Sequence, residues 1–245
     1  MSVKSSQSGA RMLAIFEEIA AEQPIGASTL AQRLDMDKSA VQRSLVTLAN
    51  AGWIAQTATR PVQWELSAHL FTLAQLPHSS DELRARARKV LEDLRNETGE
   101  TAFLAISDIG RFVVIDVVES HHMLRMVPRV GTIIPASGSA TGRILLPYFD
   151  SERQESLLGR RPNAVELAQF ASSRERGYGL SVGEVMEGST TIAAPIFNAQ
   201  GQPAAAIVIT GPSERISPDR HEAIGEAVAR HAAKLSSRIP TEPVA

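Results

Sequence analysis

Apolar residues recur at helical spacing through the first fifty residues of the chain. In the segment GARMLAIFEEIAAEQ they follow Met12 at intervals of three, four and seven residues, which predicts an amphipathic helix with one apolar stripe. A second short helix, TLAQRLD, is expected to begin after Ser28 as its N-cap. A third is predicted from Lys38 to Asn50, with Asp37 as its N-cap. The inward side of this third helix would consist of Val41, Leu45 and Leu48.

Two short runs with the character of strands follow the third helix. They cover residues 53–58 and 62–66, and the sequence Thr-Arg-Pro at 59–61 forms the turn between them. Three short helices followed by a small hairpin are typical of a winged helix-turn-helix, in which the third helix enters the major groove of DNA. The pattern therefore predicts a DNA-binding domain over residues 1–76.

The outward side of the third helix carries side chains suited to DNA. Arginine can contact guanine edges and glutamine adenine edges, whereas serine and lysine suit phosphate oxygens. Further contacts are expected from the start of the second helix and from the tip of the hairpin. The predicted DNA-binding residues are Ser28, Thr29, Lys38, Ser39, Gln42, Arg43 and Arg60.

The charge of residues 1–78 leaves an alternative open. This segment holds six basic and six acidic side chains, whereas a DNA-binding domain usually carries an excess of bases. A small helical domain with a solvated polar face would have the same composition. The distribution favours DNA, because Lys38, Arg43 and Arg60 lie on the third helix and the hairpin. Three of the acids lie instead on the first helix.

The remainder of the chain changes to strand-like periodicity after one long helix. This helix lies within residues 77–99 and is predicted to be a linker, followed by a second domain over residues 100–245. Strands are expected at 101–108, 111–120, 122–127, 189–198 and 203–211, and helices at 140–149, 151–158, 163–176 and 218–238. Such an order predicts an α+β domain with a mostly antiparallel sheet, not the alternation of a parallel nucleotide-binding sheet.

Composition limits the classes of protein to which the chain can belong. Its 245 residues favour two domains, and the absence of cysteine excludes disulfides, thiol catalysis and Cys-ligated zinc. The sequence has no apolar run of the length that a membrane span needs and no signal-peptide pattern at its start. We therefore expect a cytoplasmic protein. The net charge of −2 neither favours nor excludes an anionic partner.

The segment PASGSATGR at 135–143 has the small residues and glycines of a phosphate-binding loop. A P-loop requires G-x-x-x-x-G-K-[ST], whereas this segment is one residue short and has arginine in place of lysine. No histidine cluster with metal-ligand spacing and no nucleophile motif such as G-x-S-x-G is present. The sequence therefore predicts a binding domain without catalytic residues, metal or cofactor, and not an enzyme.

Four stretches, taken in order, resemble the IclR family of bacterial transcriptional regulators. They are LAQRLDMDKSAVQRSLVTLANAGW, VGTIIPASGSATGRILL, RERGYGLSVGEVMEGSTTIAAPIF and AAAIVITGPSERIS. The resemblance extends over nearly the whole chain. It implies a winged helix-turn-helix, a linker helix and a C-terminal effector-binding domain with a GAF-like fold. It also implies homodimers or pairs of dimers on palindromic operators, with small organic acids as effectors.

The resemblance also implies the positions of an effector pocket. Backbone N–H groups of the loop at 139–141 would receive a ligand carboxylate, and residues of the preceding strand would form an apolar wall. The implied effector-binding residues are Met123, Leu124, Met126, Ser139, Ala140, Thr141, Ser181, Thr191, Val208 and Thr210.

Three of these positions depart from family members that bind very small keto acids. Ser181 replaces an aspartate, Thr191 a cysteine and Val208 a serine. The expected pocket therefore lacks a fixed charge and suits a larger, partly apolar acid, aromatic or hydroxylated. Thr191 and Val208 would also be ordinary strand residues of high β-propensity, which leaves their role in binding open.

Two functions are compatible with these patterns. The first is a ligand-responsive transcriptional regulator that binds double-stranded operator DNA. The second is a metabolite-binding or catalytic protein whose N-terminal helices serve only in assembly. A steep dependence of DNA affinity on salt would distinguish the first from the second.

Overall fold

The computed structural model describes residues 6–76, 80–108 and 110–237 of the chain. It divides into two units, Met1–His78 and Ser79–Ala245, and each unit has its own hydrophobic core. None of the helices within the described residues is long and apolar enough to cross a membrane.

Within residues 6–76, the first unit contains four helices and a two-stranded antiparallel hairpin. Its elements are α1 (Gln7–Ala21), α2 (Ala27–Arg33), α3 (Lys38–Asn50), β1 (Ile54–Gln56), β2 (Trp64–Leu66) and α4 (His69–Ala74). The predicted third helix is confirmed at both ends, and the predicted inward residues Val41, Leu45 and Leu48 are buried. They pack with Ile15 and Trp64, among others, in a single cluster.

The second helix begins earlier than predicted, and Ser28 is not its N-cap. That position belongs to Gly26, so Ser28 and Thr29 lie in the first turn with exposed side chains. The reason is an isolated β-bridge between Ile25 and the hairpin. The Ile25 amide donates to the Trp64 carbonyl at 3.0 Å, and the Trp64 amide donates to the Ile25 carbonyl at 2.9 Å. The chain therefore enters the helix directly from an extended residue that the hairpin holds.

The second unit contains one six-stranded sheet with helices on both faces. Its helices are α5 (Asp81–Thr98), α6 (Ala140–Leu145), α7 (Ser151–Leu158), α8 (Ala164–Arg176) and α9 (His221–Leu235). Its strands are β3 (Thr101–Asp108), β4 (Arg111–Val118), β5 (Ile133–Ile134), β6 (Gly179–Val182), β7 (Ser189–Phe197) and β8 (Pro203–Pro212). The strand order is β5-β4-β3-β8-β7-β6, and every neighbouring pair is antiparallel. The predicted α+β class with an antiparallel sheet is confirmed.

Alternation along the central strands divides the core between the two faces of the sheet. On β8, Ile207 and Ile209 join the cluster beneath α5 and α9, while Ala206 and Val208 join the cluster beneath α6. Successive side chains of a strand point to opposite faces, so a nearly continuous apolar run serves both layers. This explains why the strand has almost no polar positions.

The strand predicted at 122–127 is wrong. The described residues from 119 to 132 form no strand, and the edge of the sheet beside β4 is the two-residue strand β5. Met123 is 98% exposed and Leu124 is 73% exposed, so the segment lacks the alternate burial that a strand of this sheet would have. The prediction also missed α4 and β6. The first three residues of the predicted linker, at 77–79, and the turn residue Ile109 lie outside the described residues.

Candidate DNA-contacting face and effector cavity

Helix α3 presents one apolar and one polar side. The apolar side is buried in the first unit, whereas the predicted contact residues Lys38, Ser39, Gln42 and Arg43 are all exposed, as is the neighbouring Val46. Residues three and four apart on a helix are neighbours on one side, so this set forms a continuous face. The structure therefore brings together the residues of the third helix that the sequence assigned to DNA.

A chain of hydrogen bonds orders the beginning of this face. The Asp37 carboxylate accepts hydrogen bonds from the Ser39 amide at 2.8 Å and the Ser39 hydroxyl at 2.5 Å. The same hydroxyl accepts a hydrogen bond from Arg43 Nη1 at 3.1 Å. The Ser39 hydroxyl bond is the largest cause that lowers the pKa of Asp37. Arg43 is thus held along the helix while most of its N–H donors remain free.

Ion pairs within the first unit involve some of its acidic side chains but not the basic side chains predicted to contact DNA. Arg33 pairs with Glu18 at 2.8 Å and with Glu22 at 2.7 Å, so one acid of α1 and the acid at its C-cap are neutralised internally. Within residues 6–76, Lys38, Arg43 and Arg60 take part in no ion pair. The positive charges assigned to DNA therefore remain available although the segment as a whole is neutral.

The other predicted DNA contacts lie at two further places in the first unit. Ser28 and Thr29 are exposed in the first turn of α2, and Arg60 is exposed in the connection between β1 and β2. A backbone bond from the Thr57 amide to the Gln63 carbonyl at 2.9 Å extends the pairing beyond the short strands. The hairpin therefore places Arg60 at its tip.

The second unit contains a cavity of about 670 Å³. It lies among the segment that follows β4, the beginning of α6, the loop between β6 and β7, and strands β3, β7 and β8. Its lining residues are Phe103, Val114, Leu124, Arg125, Met126, Val127, Pro128, Arg129, Thr132, Ile133, Ile134, Pro135, Ser139, Ala140, Thr141, Ser181, Val185, Met186, Ser189, Thr191 and Thr210. The lining is mainly apolar, and its volume lies within the range typical of small-molecule sites.

Most of the residues implied for the effector pocket meet at this cavity. Its lining includes Leu124, Met126, Ser139, Ala140, Thr141, Ser181, Thr191 and Thr210. Met123 does not belong to it, because its side chain lies almost entirely in solvent. Val208 does not belong to it either, because it is fully buried and its register partner Phe103 lines the cavity instead.

Hydroxyl groups form one polar part of the lining. Thr191 and Thr210 are register partners on β7 and β8, and their Oγ1 atoms lie 3.1 Å apart. One hydroxyl proton of this pair forms the bond between them, so the other can be donated to a ligand. Ser181 donates instead to the carbonyl of Gly138 at 2.6 Å, and Ser139 donates to that of Pro135 at 2.5 Å. The threonine pair therefore keeps a hydroxyl proton for a ligand, whereas the hydroxyl protons of Ser139 and Ser181 are already bonded to backbone carbonyls.

Two arginines of the cavity were missed in the sequence, and with them a source of positive charge. Arg125 pairs with Glu119 at 2.8 Å. Arg129 takes part in no ion pair with any described residue and is exposed. Arg125 lies in the segment that was interpreted as a strand and Arg129 lies two residues beyond it, so their neighbours could not be inferred. The expectation of a pocket without fixed charge is therefore corrected.

Gly142 explains why the loop at 135–143 resembles a phosphate-binding loop. A Cβ atom at this position would lie 1.9 Å from the carbonyl oxygen of Ala136, so only glycine allows the loop to fold back against α6. Ser139 caps this helix by accepting a hydrogen bond from the Gly142 amide at 3.0 Å. The small residues therefore serve close packing at the rim of the cavity. Among the described residues no group of His, Asp and Glu is arranged to hold a metal ion.

Two protein-family models match the chain. The IclR helix-turn-helix domain matches residues 9–58, and the bacterial transcriptional regulator IclR C-terminal model matches residues 76–237. The chain is a member of the IclR family. The resemblance seen in the sequence is thereby confirmed.

Characterised members of the IclR family align with this chain over most of their length. The transcriptional repressor IclR of Escherichia coli (strain K12) is 30% identical over 94% of this chain and 89% of its own. The HTH-type transcriptional regulator BhcR of Paracoccus denitrificans is 33% identical over 92% of this chain and 85% of its own. The protein is accordingly an IclR-type transcriptional regulator with a helix-turn-helix DNA-binding domain and a C-terminal effector-binding domain.

Solved structures share the fold. An IclR family transcriptional regulator from Brucella abortus has a TM-score of 0.76 at 21% identity, and the match covers 97% of this chain and 94% of that one. An IclR homologue from Microbacterium hydrocarbonoxydans, crystallised with 4-hydroxybenzoate, has a TM-score of 0.75 at 20% identity, with coverages of 94% and 98%.

Proposed function

We propose that this IclR-family regulator reads operator DNA with the exposed face of α3 and is controlled by an organic acid in the cavity of its second unit. The observation that carries the proposal is the presence in one chain of an ordered helix face with unpaired positive charges and a mainly apolar cavity of about 670 Å³. Arg43 and Gln42 would contact bases, and Lys38 and Arg60 would contact phosphates. The protein would act in the cytoplasm, and it would bind its effector without converting it.

Control by the effector requires a structural change that alters the affinity of the protein for its operator. IclR-type domains working as a homodimer or a pair of dimers would place two α3 helices on half-sites separated by roughly 34 Å or its multiples. An effector that changes the geometry of the assembly alters this spacing and so changes operator affinity. The arrangement needs no contact between effector and DNA.

Mutation of Arg43 tests the DNA-binding half of the proposal. Arg43→Ala should weaken binding to a duplex from upstream of the protein's own gene by about tenfold, since a base contact by arginine contributes about 1–3 kcal/mol. Fluorescence anisotropy of the labelled duplex measures this change. The matched control is Arg111→Ala, which removes an exposed arginine of the second unit and should leave the affinity unchanged.

The salt dependence of the same titration separates regulator from assembly protein. Phosphate contacts predict a steep fall of affinity with increasing salt. Absence of binding by the wild-type protein, or equal affinities of wild type and Arg43→Ala, would contradict this use of α3. A response that is flat in salt would favour N-terminal helices that serve only in assembly.

The nature of the cavity supports an acid with an apolar body of aromatic size. Its apolar wall includes Phe103, Val114 and Ile134, while the threonine pair and Arg129 supply a hydroxyl donor and a positive charge. A two-carbon keto acid would leave most of this volume unfilled. The relative from Microbacterium hydrocarbonoxydans was crystallised with 4-hydroxybenzoate, which has the size and polarity that this cavity favours.

A thermal-shift series tests the class of effector. Benzoate and 4-hydroxybenzoate should raise the melting temperature at millimolar concentration, because a ligand that binds only the folded state stabilises it. Glyoxylate should have no effect. Thr210→Val, which removes one hydroxyl at nearly constant volume, should reduce the shift with 4-hydroxybenzoate more than the shift with benzoate. Stabilisation by glyoxylate alone would contradict the proposal.

A further inference from the structure

The loop between β6 and β7, residues 183–188, forms an outer wall of the cavity. Val185 and Met186 line the cavity, yet they are 49% and 59% exposed, so the loop separates the cavity from solvent. Its first and last residues, Gly183 and Gly188, both have positive φ, at 70° and 73°. Glycine adopts this conformation readily and retains wide freedom when the chain moves. The loop therefore has a flexible residue at each end.

One ion pair connects this loop to the body of the unit. Arg143 Nη2 donates to both carboxylate oxygens of Glu184, at 2.7 and 2.6 Å. Among the described residues, Glu184 is the only side chain of residues 183–188 that forms a hydrogen bond. Arg143 belongs to α6, whose first two residues, Ala140 and Thr141, line the cavity. The pair therefore spans from one wall of the cavity to another.

The two partners of this pair have different surroundings. The Arg143 side chain is 8% exposed, whereas that of Glu184 is 44% exposed. Arg143 also donates to the carbonyl of Leu180 and, at 3.2 Å, to Gln169, so it remains partnered when Glu184 leaves. Glu184 would then be solvated by water. The fixed partner is thus the arginine, and the partner able to move is the loop carboxylate.

The backbone groups of the loop that form hydrogen bonds are bonded near its base. The Gly183 amide donates to the Ser189 carbonyl at 2.7 Å, and the Gly188 carbonyl accepts a hydrogen bond from the Ser213 amide at 2.9 Å. The Met186 carbonyl accepts hydrogen bonds from the Ser189 amide at 3.1 Å and the Ser189 hydroxyl at 2.5 Å. These bonds keep the ends of the loop together, but they do not fasten it to the opposite wall of the cavity. That fastening depends on Glu184.

We propose that residues 183–188 are a strap over the effector cavity and that Arg143 and Glu184 are positioning residues that hold it closed. Opening of the strap exchanges the ion pair for hydration of Glu184 and admits or releases the ligand. Val185 and Met186, which the strap carries, set the shape of the cavity when it is closed. The inference rests on the proposed effector function for its biological meaning, but access to the cavity can be measured without DNA or effector.

The absence of cysteine from the chain provides a direct measurement of access. Thr210→Cys places a single thiol at the cavity, where Thr210 is 8% exposed. The rate of its reaction with 4,4′-dithiodipyridine, a neutral disulfide, reports how often the cavity opens. Adding Glu184→Gln should increase this rate by about fivefold, the effect of losing one half-exposed charged hydrogen-bonded pair. A neutral reagent is used so that the change in charge does not itself alter the reaction.

Three controls distinguish strap opening from other effects. Glu155→Gln removes a carboxylate of similar exposure, paired with Arg161 on the surface, and should leave the rate at position 210 unchanged. Ser151→Cys, an exposed thiol, should react equally fast with and without Glu184→Gln. Ser173→Cys, which is fully buried in α8, reports general loosening of the unit and should remain slow in both backgrounds.

Equal rates at position 210 with and without Glu184→Gln would overturn the proposal. A parallel acceleration at positions 210 and 173 would also overturn it, because the ion pair would then stabilise the whole unit and not the strap. Protection of the thiol at position 210 by benzoate, whose binding is expected to depend less on the Thr210 hydroxyl than that of 4-hydroxybenzoate, is a separate arm of the experiment. If the ligand fails to protect the thiol but Glu184→Gln still increases the reaction rate, the result counts against the proposed class of effector and supports the strap.

Discussion

Glu166 joins three segments next to the loop that leads into the cavity. Its carboxylate pairs with Arg160 at 2.7 Å and accepts hydrogen bonds from the Ser137 hydroxyl and the Asn163 amide, each at 2.9 Å. The bond to Arg160 is the largest cause that lowers the pKa of Glu166 to about 2. A single carboxylate thus anchors the loop, the N-terminus of α8 and the turn before it, and its ion pair with Arg160 requires that it be ionised.

The lowered pKa of Glu166 predicts a pH-dependent contribution to stability. The folded-state pKa lies below the ordinary value of 4.5, so the contribution is complete above about pH 4.5 and is lost as the pH falls towards about 2. Glu166→Gln should therefore lower the free energy of unfolding by about 1–3 kcal/mol near neutral pH. The difference from wild type should shrink as the pH falls through this window. Urea titrations followed by far-UV circular dichroism measure both.

Glu155→Gln is the matched control for this prediction. Glu155 pairs with the exposed Arg161 at 2.7 Å, and surface pairs of this kind contribute less than about 1 kcal/mol. Its effect should be small at every pH. A difference between Glu166→Gln and wild type that stays constant from neutral to acid pH would show that charge is not the reason for the stabilisation.

The packing of helix α6 against the preceding loop depends on Gly142 having no side chain. Its six residues are all buried, and a Cβ atom at Gly142 would penetrate the backbone of Ala136. Because that obstacle is backbone, it cannot move aside as the end of a flexible side chain could. The helix that bears both the rim of the cavity and Arg143 can therefore pack in this position only with glycine.

Gly142→Ala should destabilise the second unit by about 1–3 kcal/mol or more. Gly9→Ala provides the contrast, because a Cβ atom there would meet its nearest neighbour at 3.6 Å and alanine favours the helix by about 0.5–1 kcal/mol. Thermal unfolding followed by far-UV circular dichroism should show a lower melting temperature for Gly142→Ala than for wild type. Gly9→Ala should not lower the melting temperature. A stability of Gly142→Ala equal to that of wild type would contradict the close approach at this helix.

At the scale of the whole molecule, each of the two units has its own hydrophobic core. Both tryptophans, Trp53 and Trp64, belong to the unit Met1–His78. Tryptophan fluorescence therefore reports unfolding of that unit alone, while circular dichroism reports both units. The two can be followed independently in one intact protein.

Leu45→Ala tests whether the cores are energetically separate. Leu45 is fully buried in the first unit, and removal of such a side chain costs about 2–5 kcal/mol. The fluorescence transition should shift to lower denaturant, while the remaining transition seen by circular dichroism should stay in place. Leu13→Ala, at a position that is 63% exposed, should change neither. A common shift of both transitions after Leu45→Ala would show that the units unfold as one.

The sequence determined those features of the protein that arise from interactions between near neighbours. Helix α3 was predicted to its last residue because the cap at Asp37 and the apolar spacing act within a few positions of the chain. The long apolar runs of β7 and β8 were visible for the same reason. The face of α3 and most of the loop at the cavity could accordingly be named in advance.

Only the tertiary structure decided which distant segments meet. The segment from 122 to 127 was predicted as a strand, but the edge of the sheet is taken by β5, so Arg125 within it and Arg129 beyond it came to the cavity unpredicted. Val208 and Thr210 lie on the same face of β8, yet only Thr210 lines the cavity, and Phe103, the register partner of Val208, lines it as well. Arg143 and Glu184 are far apart in the chain and show no shared pattern. Local periodicity fixes an element and its buried side, whereas the partner of each side chain depends on how all the elements pack.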